Sequence, residues 1–131
     1  MRGIDYQELA MRTNDGLSDL RLIRELAGTQ SPCHTVLKGN AGTLIHGVLG
    51  LTGESGEVAD LVKKGIFHEK GIDMDHLKKE LGDVMWYIAL ICDACGFNLD
   101  DIMMLNVLKL QRRYPDGFST DRANHRDEGD V

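Results

Sequence analysis

Glu54, Glu57, Glu80 and Asp83 are the residues of this 131-residue chain whose types and spacing best suit chemistry. Each pair is spaced i, i+3, which sets both carboxylates on one face of an α-helix. At about 100° per residue, Glu54 falls inside an apolar stripe of Leu44, Val48, Leu51, Val58, Leu61 and Val62, with Glu57 at its edge. In the second segment Leu77, Leu81, Val84, Ile88 and Ile91 form the stripe, Glu80 lies at its border, and Asp83 follows. A carboxylate that faces a core must protonate or find a cation. Oxygen donors with no histidine or thiolate among them select Mg²⁺, with Mn²⁺ as the alternative. Such ions keep waters and accept substrate phosphates as further ligands. The plain alternative is four solvated acids at stripe borders.

A later segment offers the complement. Asn106, Lys109 and Arg113 stand at i, i+3 and i+7 on one helix face, beside Ile102, Met103 and Leu110, so they are expected to border the core. An amide, an ammonium and a guanidinium in line suit phosphate oxygens. The same cations would equally complement a helix C-terminus, and so would Lys63 and Lys64, which are assigned no site. His46 precedes the glutamates on their helix and either packs or reaches a substrate edge. Trp86 points away from its stripe, which suggests a subunit surface.

These side chains need three long helices. Asn40 is placed to cap the first, expected to run to Lys63-Lys64 and stop at Gly65. Asp73 caps the second, which runs to Cys95 and stops at Gly96. Asn98 caps the third, which ends near Tyr114 because Pro115 cannot continue it. Further helices are expected over about 5–13 and 17–27, and loops over 28–39 and 65–73. No segment alternates as a strand, so the fold class is all-α, a helical bundle. Gly47, Gly50, Gly53 and Gly56 recur every third residue inside the first long helix, where each costs roughly 1 kcal/mol against alanine. Either a helix packs closely there, or the backbone must lie near a ligand or crowded carboxylates.

Composition narrows the class. Hydrophobic residues make up 42%, enough for one domain with its own core. The 15 Lys+Arg against 21 Asp+Glu leave a net charge of −6, which argues against a nucleic-acid polymer as partner. No apolar run approaches the roughly 18 residues of a membrane span. The first residues lack the apolar core of an export signal, and 3 cysteines cannot all pair, so a reduced, cytoplasmic protein is expected.

Three segments resemble one family. They are HGVLGLTGESGEVAD at 46–60, KELGDVMWY at 79–87 and NVLKLQRRYP at 106–115. Together they resemble the MazG-like all-α nucleoside triphosphate pyrophosphohydrolases, relatives of the dimeric dUTPases, over about 46–118. The family pattern is EExxE, a spacer, ExxD, then Asn and Lys/Arg on a later helix. The resemblance implies a bundle of about four to five helices per chain, with a single MazG-like domain over 1–118 (core about 40–115) and a polar tail over 119–131. It implies Mg²⁺ ligands at Glu54, Glu57, Glu80 and Asp83, and substrate contacts at His46, Asn106, Lys109 and Arg113. Glu57, Glu80 and Lys109 would be the catalytic residues. The implied reaction converts a (deoxy)nucleoside triphosphate to the monophosphate and pyrophosphate, as nucleotide-pool housecleaning. A homodimer or dimer of dimers is expected, because one chain has too few long helices to enclose the site. Gly53 departs from the pattern, standing where the family has its first glutamate.

Three rivals are weighed against this. A noncatalytic nucleotide-binding or structural helical oligomer is kept open by Gly53. A di-iron carboxylate oxidoreductase needs Glu with His three residues later, which this chain never has. A zinc site from Cys33, His34, Cys92 and Cys95 is opposed by the placement of Cys92 and Cys95 on an apolar stripe.

Overall fold

The computed structural model describes residues 2–28 and 40–125. Among them are six helices and no strand: α1 Gly3–Met11, α2 Ser18–Ala27, α3 Ala41–Phe67, α4 Met74–Cys95, α5 Leu99–Arg113 and α6 Thr120–Asn124. The all-α expectation holds, but the helix number exceeds the expected four to five. The addition is α6, inside the segment read as a polar tail, where the Ser119 hydroxyl accepts the Arg122 N–H at 3.4 Å. The chain forms two compact units, Met1–Cys95 and Gly96–Val131.

In the first unit α3 and α4 pack against each other, and α2 adds a smaller contact with α3. Their register is antiparallel: Gly47 lies against Ile91, Gly50 against Tyr87 and Gly65 against Ile72. Asp73 caps α4 as expected, its Oδ1 accepting the N–H groups of Asp75 and His76 at 3.0 Å each. The helix ends where Gly96 takes a left-handed φ of +67°.

Two expectations for α3 need correction. Asn40 precedes the helix but makes no side-chain capping bond; its carbonyl accepts the Leu44 N–H at 2.9 Å. Gly65 does not end the helix, which continues to Phe67. Gly65 is buried, and a Cβ there would lie 2.5 Å from Ile72 Cγ1 and 3.0 Å from the Gly71 carbonyl. The connector folds back so closely that the Gly71 N–H bonds the Gly65 carbonyl at 3.2 Å. Glycine is needed here for tertiary approach, not for a stop.

The regular three-residue spacing of the glycines divides by purpose. Cβ atoms at Gly47 and Gly50 would collide with Ile91 and with the ring of Tyr87, so these two glycines admit α4. Gly53 and Gly56 face open space. The interior is thin. Among the described residues the buried apolar side chains are Ala41, Cys92 and Ala94, and no large one is fully buried. Within the expected stripes Val48 and Leu81 stay about half exposed, at 48% and 47%.

In the second unit Asn98 caps α5, its side chain accepting the Asp100 N–H at 2.9 Å. Asp100 and Asp101 occupy the first turn and Arg112 and Arg113 the last, matching the helix dipole at both ends. Tyr114 ends the helix before Pro115 and its ring meets that of Phe118 at 5.5 Å. The expectation that Asn106, Lys109 and Arg113 border a core is not met, because α5 buries no residue and Ile102, Met103 and Leu110 are exposed. Among the described residues no helix is long and apolar enough to cross a membrane.

Candidate metal centre

The antiparallel register brings the two acidic pairs together. One ligand oxygen each from Glu54, Glu57 and Glu80 lies within 4.8 Å of the others. An octahedral ion with oxygens at about 2.1 Å wants donors about 3–4 Å apart, so three carboxylates at this spacing fit a divalent cation such as Mg²⁺. Asp83 stands outside this closest group and is exposed, but its charge reaches Glu54.

Burial is distributed differently from the pattern expected on helical wheels. Glu80, expected at a stripe border, is the buried member at 8% exposure, while Glu54 is half-buried and Glu57 exposed. His76, one turn earlier on α4, accounts for the difference. Its Nε2 lies 2.7 Å from Glu80 Oε1, so the buried carboxylate has the partner it requires.

Electrostatically the cluster is strained toward a cation. Desolvation, followed by the charges of Glu57, Asp83 and Glu80, holds the Glu54 carboxyl above its ordinary value of 4.5. The neighbouring hydroxyls offer no relief, because Thr52 and Ser55 donate back to the Val48 and Leu51 carbonyls at 3.0 and 2.7 Å. A divalent ion would remove this repulsion.

A cleft of about 410 Å³ opens beside the acids. Gly53, Gly56 and Glu57 form one wall, and His76 and Glu80 form another. Without side chains, the two glycines leave this space free. Toward the connector, Lys64 and Lys70 also line it. Lys64 is shared with Asp60, which takes Lys63 as well, and these two ammonium groups draw the Asp60 carboxyl down to about 2. Sequence reasoning passed over His76 and Asp60 and assigned Lys64 no site. The signal was present as His-x₃-Glu and Asp-x₃-Lys, both i, i+4 spacings on a helix.

Other expected residues fall elsewhere. His46 is exposed on α3, its ring edge-on to Trp86 at 6.5 Å and to Tyr87 at 5.8 Å. Trp86 is 55% exposed, as expected of a ring turned away from its stripe. Asn106, Lys109 and Arg113 all lie on α5 in the second unit, the first two exposed and Arg113 half-buried. For the zinc alternative, Cys33 and His34 lie outside the described residues. Cys92 is a buried free thiol, and Cys95 a half-buried one.

Comparison with known proteins gives this geometry a context. The model of the MazG nucleotide pyrophosphohydrolase domain matches residues 44–118. The Gene 37 protein of Mycobacterium phage L5 is 37% identical over 82 residues, covering 60% of this chain and 72% of that protein. No solved structure matches. The matched span contains α3 from Leu44 onward and all of α4 and α5, and it exceeds half of the sequence; the chain belongs to the MazG nucleotide pyrophosphohydrolase domain family.

Proposed function

We propose that this protein is a Mg²⁺-dependent pyrophosphohydrolase that converts a (deoxy)nucleoside triphosphate to the monophosphate and pyrophosphate. The observation that carries this reading is the convergence of Glu54, Glu57 and Glu80 within 4.8 Å inside the family-matched span. Asp83 completes the ligand set. The bound divalent ion, Mg²⁺ or Mn²⁺, would neutralise phosphate charge and lower the pKa of a coordinated water.

The residues divide the remaining work. Glu80, buried and held by His76, is the fixed ligand. Glu57, the most exposed of the three, accepts the proton of the attacking water. As the water oxygen bonds to phosphorus, the bridging P–O bond between the α- and β-phosphates breaks and pyrophosphate leaves. Lys109 and Arg113 stabilise the phosphate charge, Asn106 hydrogen-bonds a phosphate oxygen, and His46 contacts the substrate edge. The family match over α5 supports these substrate roles.

A homodimer or dimer of dimers belongs to the same reading. Leu49, Met85 and Trp86 are 68%, 64% and 55% exposed on α3 and α4, more apolar surface than a lone chain comfortably shows to water. A second copy is the proposed cover, and nucleotide-pool housecleaning in the cytoplasm is the proposed role.

The test is pyrophosphate release across canonical and modified (d)NTPs with Mg²⁺ or Mn²⁺. Release with equimolar monophosphate is expected. Glu57→Gln should lower kcat by at least about 10²-fold, the usual contribution of a general base, and Glu80→Gln should abolish metal dependence along with activity. Folded, metal-binding protein that releases nothing would favour a noncatalytic nucleotide-binding oligomer, with Gly53 as the first residue to restore to glutamate.

A further inference from the structure

We propose that His76 is a positioning residue, which fixes Glu80 in its ligating rotamer by donating its Nε2–H to Oε1. This rests on the metal-dependent reading above. Glu80 belongs to the cluster of three carboxylates and is its buried member. A glutamate has three side-chain torsions, and Glu54 and Glu57 beside it repel it. Without an opposing contact it would swing away from them in the ion-free protein. His76 supplies that contact at 2.7 Å.

The backbone that carries the imidazole is anchored. The His76 N–H is held by Asp73 Oδ1 at 3.0 Å, so the first turn of α4 is fixed before the side chain leaves it. Its side chain is 55% exposed and lines the cleft, so its presence there is not explained by core packing. The ligand atoms that cluster are all carboxylate oxygens, and His76 meets them at Glu80. One Nε2–H leaves most of the roughly four lone-pair positions of the carboxylate open to an ion. Histidine and carboxylate thus exchange their familiar places: here the carboxylate is the ligand and the imidazole orients it.

The consequence is a preorganised site. Removing the hydrogen bond should weaken metal binding without altering the reacting groups. Outer contacts of this kind typically change metal affinity 10–100-fold.

The experiment titrates Mn²⁺ into the full chain, reading free ion by electron paramagnetic resonance, for the wild type, His76→Ala, His76→Gln and Glu80→Gln. His76→Ala should bind Mn²⁺ at least about 10-fold more weakly at unchanged helical content, and His76→Gln, which restores an N–H at similar reach, should recover most of the loss. In turnover, the Mg²⁺ concentration for half-maximal rate should rise in His76→Ala by the same factor, with kcat at saturating Mg²⁺ retained. Wild-type affinity in His76→Ala, no recovery in His76→Gln, or a fall in kcat alone would overturn the positioning role. A directly bound ¹⁴N in the pulsed spectrum of wild-type Mn²⁺ protein would also overturn it, by making His76 a ligand. A wild type that binds no Mn²⁺ would bring down the metal-dependent reading itself, and this role with it.

Discussion

Glu54 sits among three other carboxylates, and that crowding has a pH signature. Its carboxyl is held above 4.5, so the metal-free fold gains from this group below pH 4.5 and loses that gain as pH rises through the shifted value. Asp60 acts in the opposite sense. Its carboxyl is drawn from 3.8 to about 2, so its contribution is present above pH 3.8 and is lost as pH falls toward 2. Carboxyl NMR titration of the metal-free protein should show Glu54 titrating late. Glu57→Gln should return it toward 4.5, because the charge of Glu57 is the largest electrostatic cause after desolvation. An unshifted Glu54 in the wild type would refute the crowding described here. Protons and Mg²⁺ then compete for Glu54, so Mg²⁺ affinity should fall as pH is lowered toward that carboxyl's value. The acidic pairs themselves were legible as i, i+3 spacings on adjoining helices. Their ranking by burial was not, because wheel geometry sees one helix at a time and the hydrogen bond from His76 decides where Glu80 can lie.

Among the elements, α3 makes the sharpest test of how packing and opening share one helix. Gly47→Ala and Gly50→Ala drive a Cβ into Ile91 and Tyr87, so each should destabilise by about 1–3 kcal/mol, the usual range for overpacking. Gly53→Ala and Gly56→Ala meet nothing within 4 Å, so each should stabilise by up to about 1 kcal/mol through helix propensity. Chemical denaturation of the four single variants checks both signs. The two stabilising changes also place methyl groups at the cleft wall, so nucleotide turnover should fall where stability rises. Helix limits set by local chemistry were readable in advance: Asp73 and Asn98 cap, Gly96 turns left-handed, and Pro115 stops α5. Gly65 misled because its reason is the return of the chain at Gly71, a contact with no local signature. The helix α6 was missed because five residues give too short a window for periodicity.

For the molecule as a whole, what is exposed matters more than what is buried. With Leu49, Met85 and Trp86 largely in water, the chain should sediment at twice or four times its own mass. Leu49→Lys or Trp86→Glu should shift that distribution toward monomer and make the melting temperature depend less steeply on protein concentration. A wild type that sediments as a monomer at all concentrations would refute the proposed assembly. The connector between α3 and α4 has a consequence in time. All four acids lie between residues 54 and 83, on helices joined by a short return, so the cluster closes through local contacts and needs nothing beyond Cys95. Synthesis from the N-terminus therefore delivers the complete set of carboxylates before any of α5 exists. On the growing chain, the proposed means of holding a cation precedes the proposed means of holding a nucleotide.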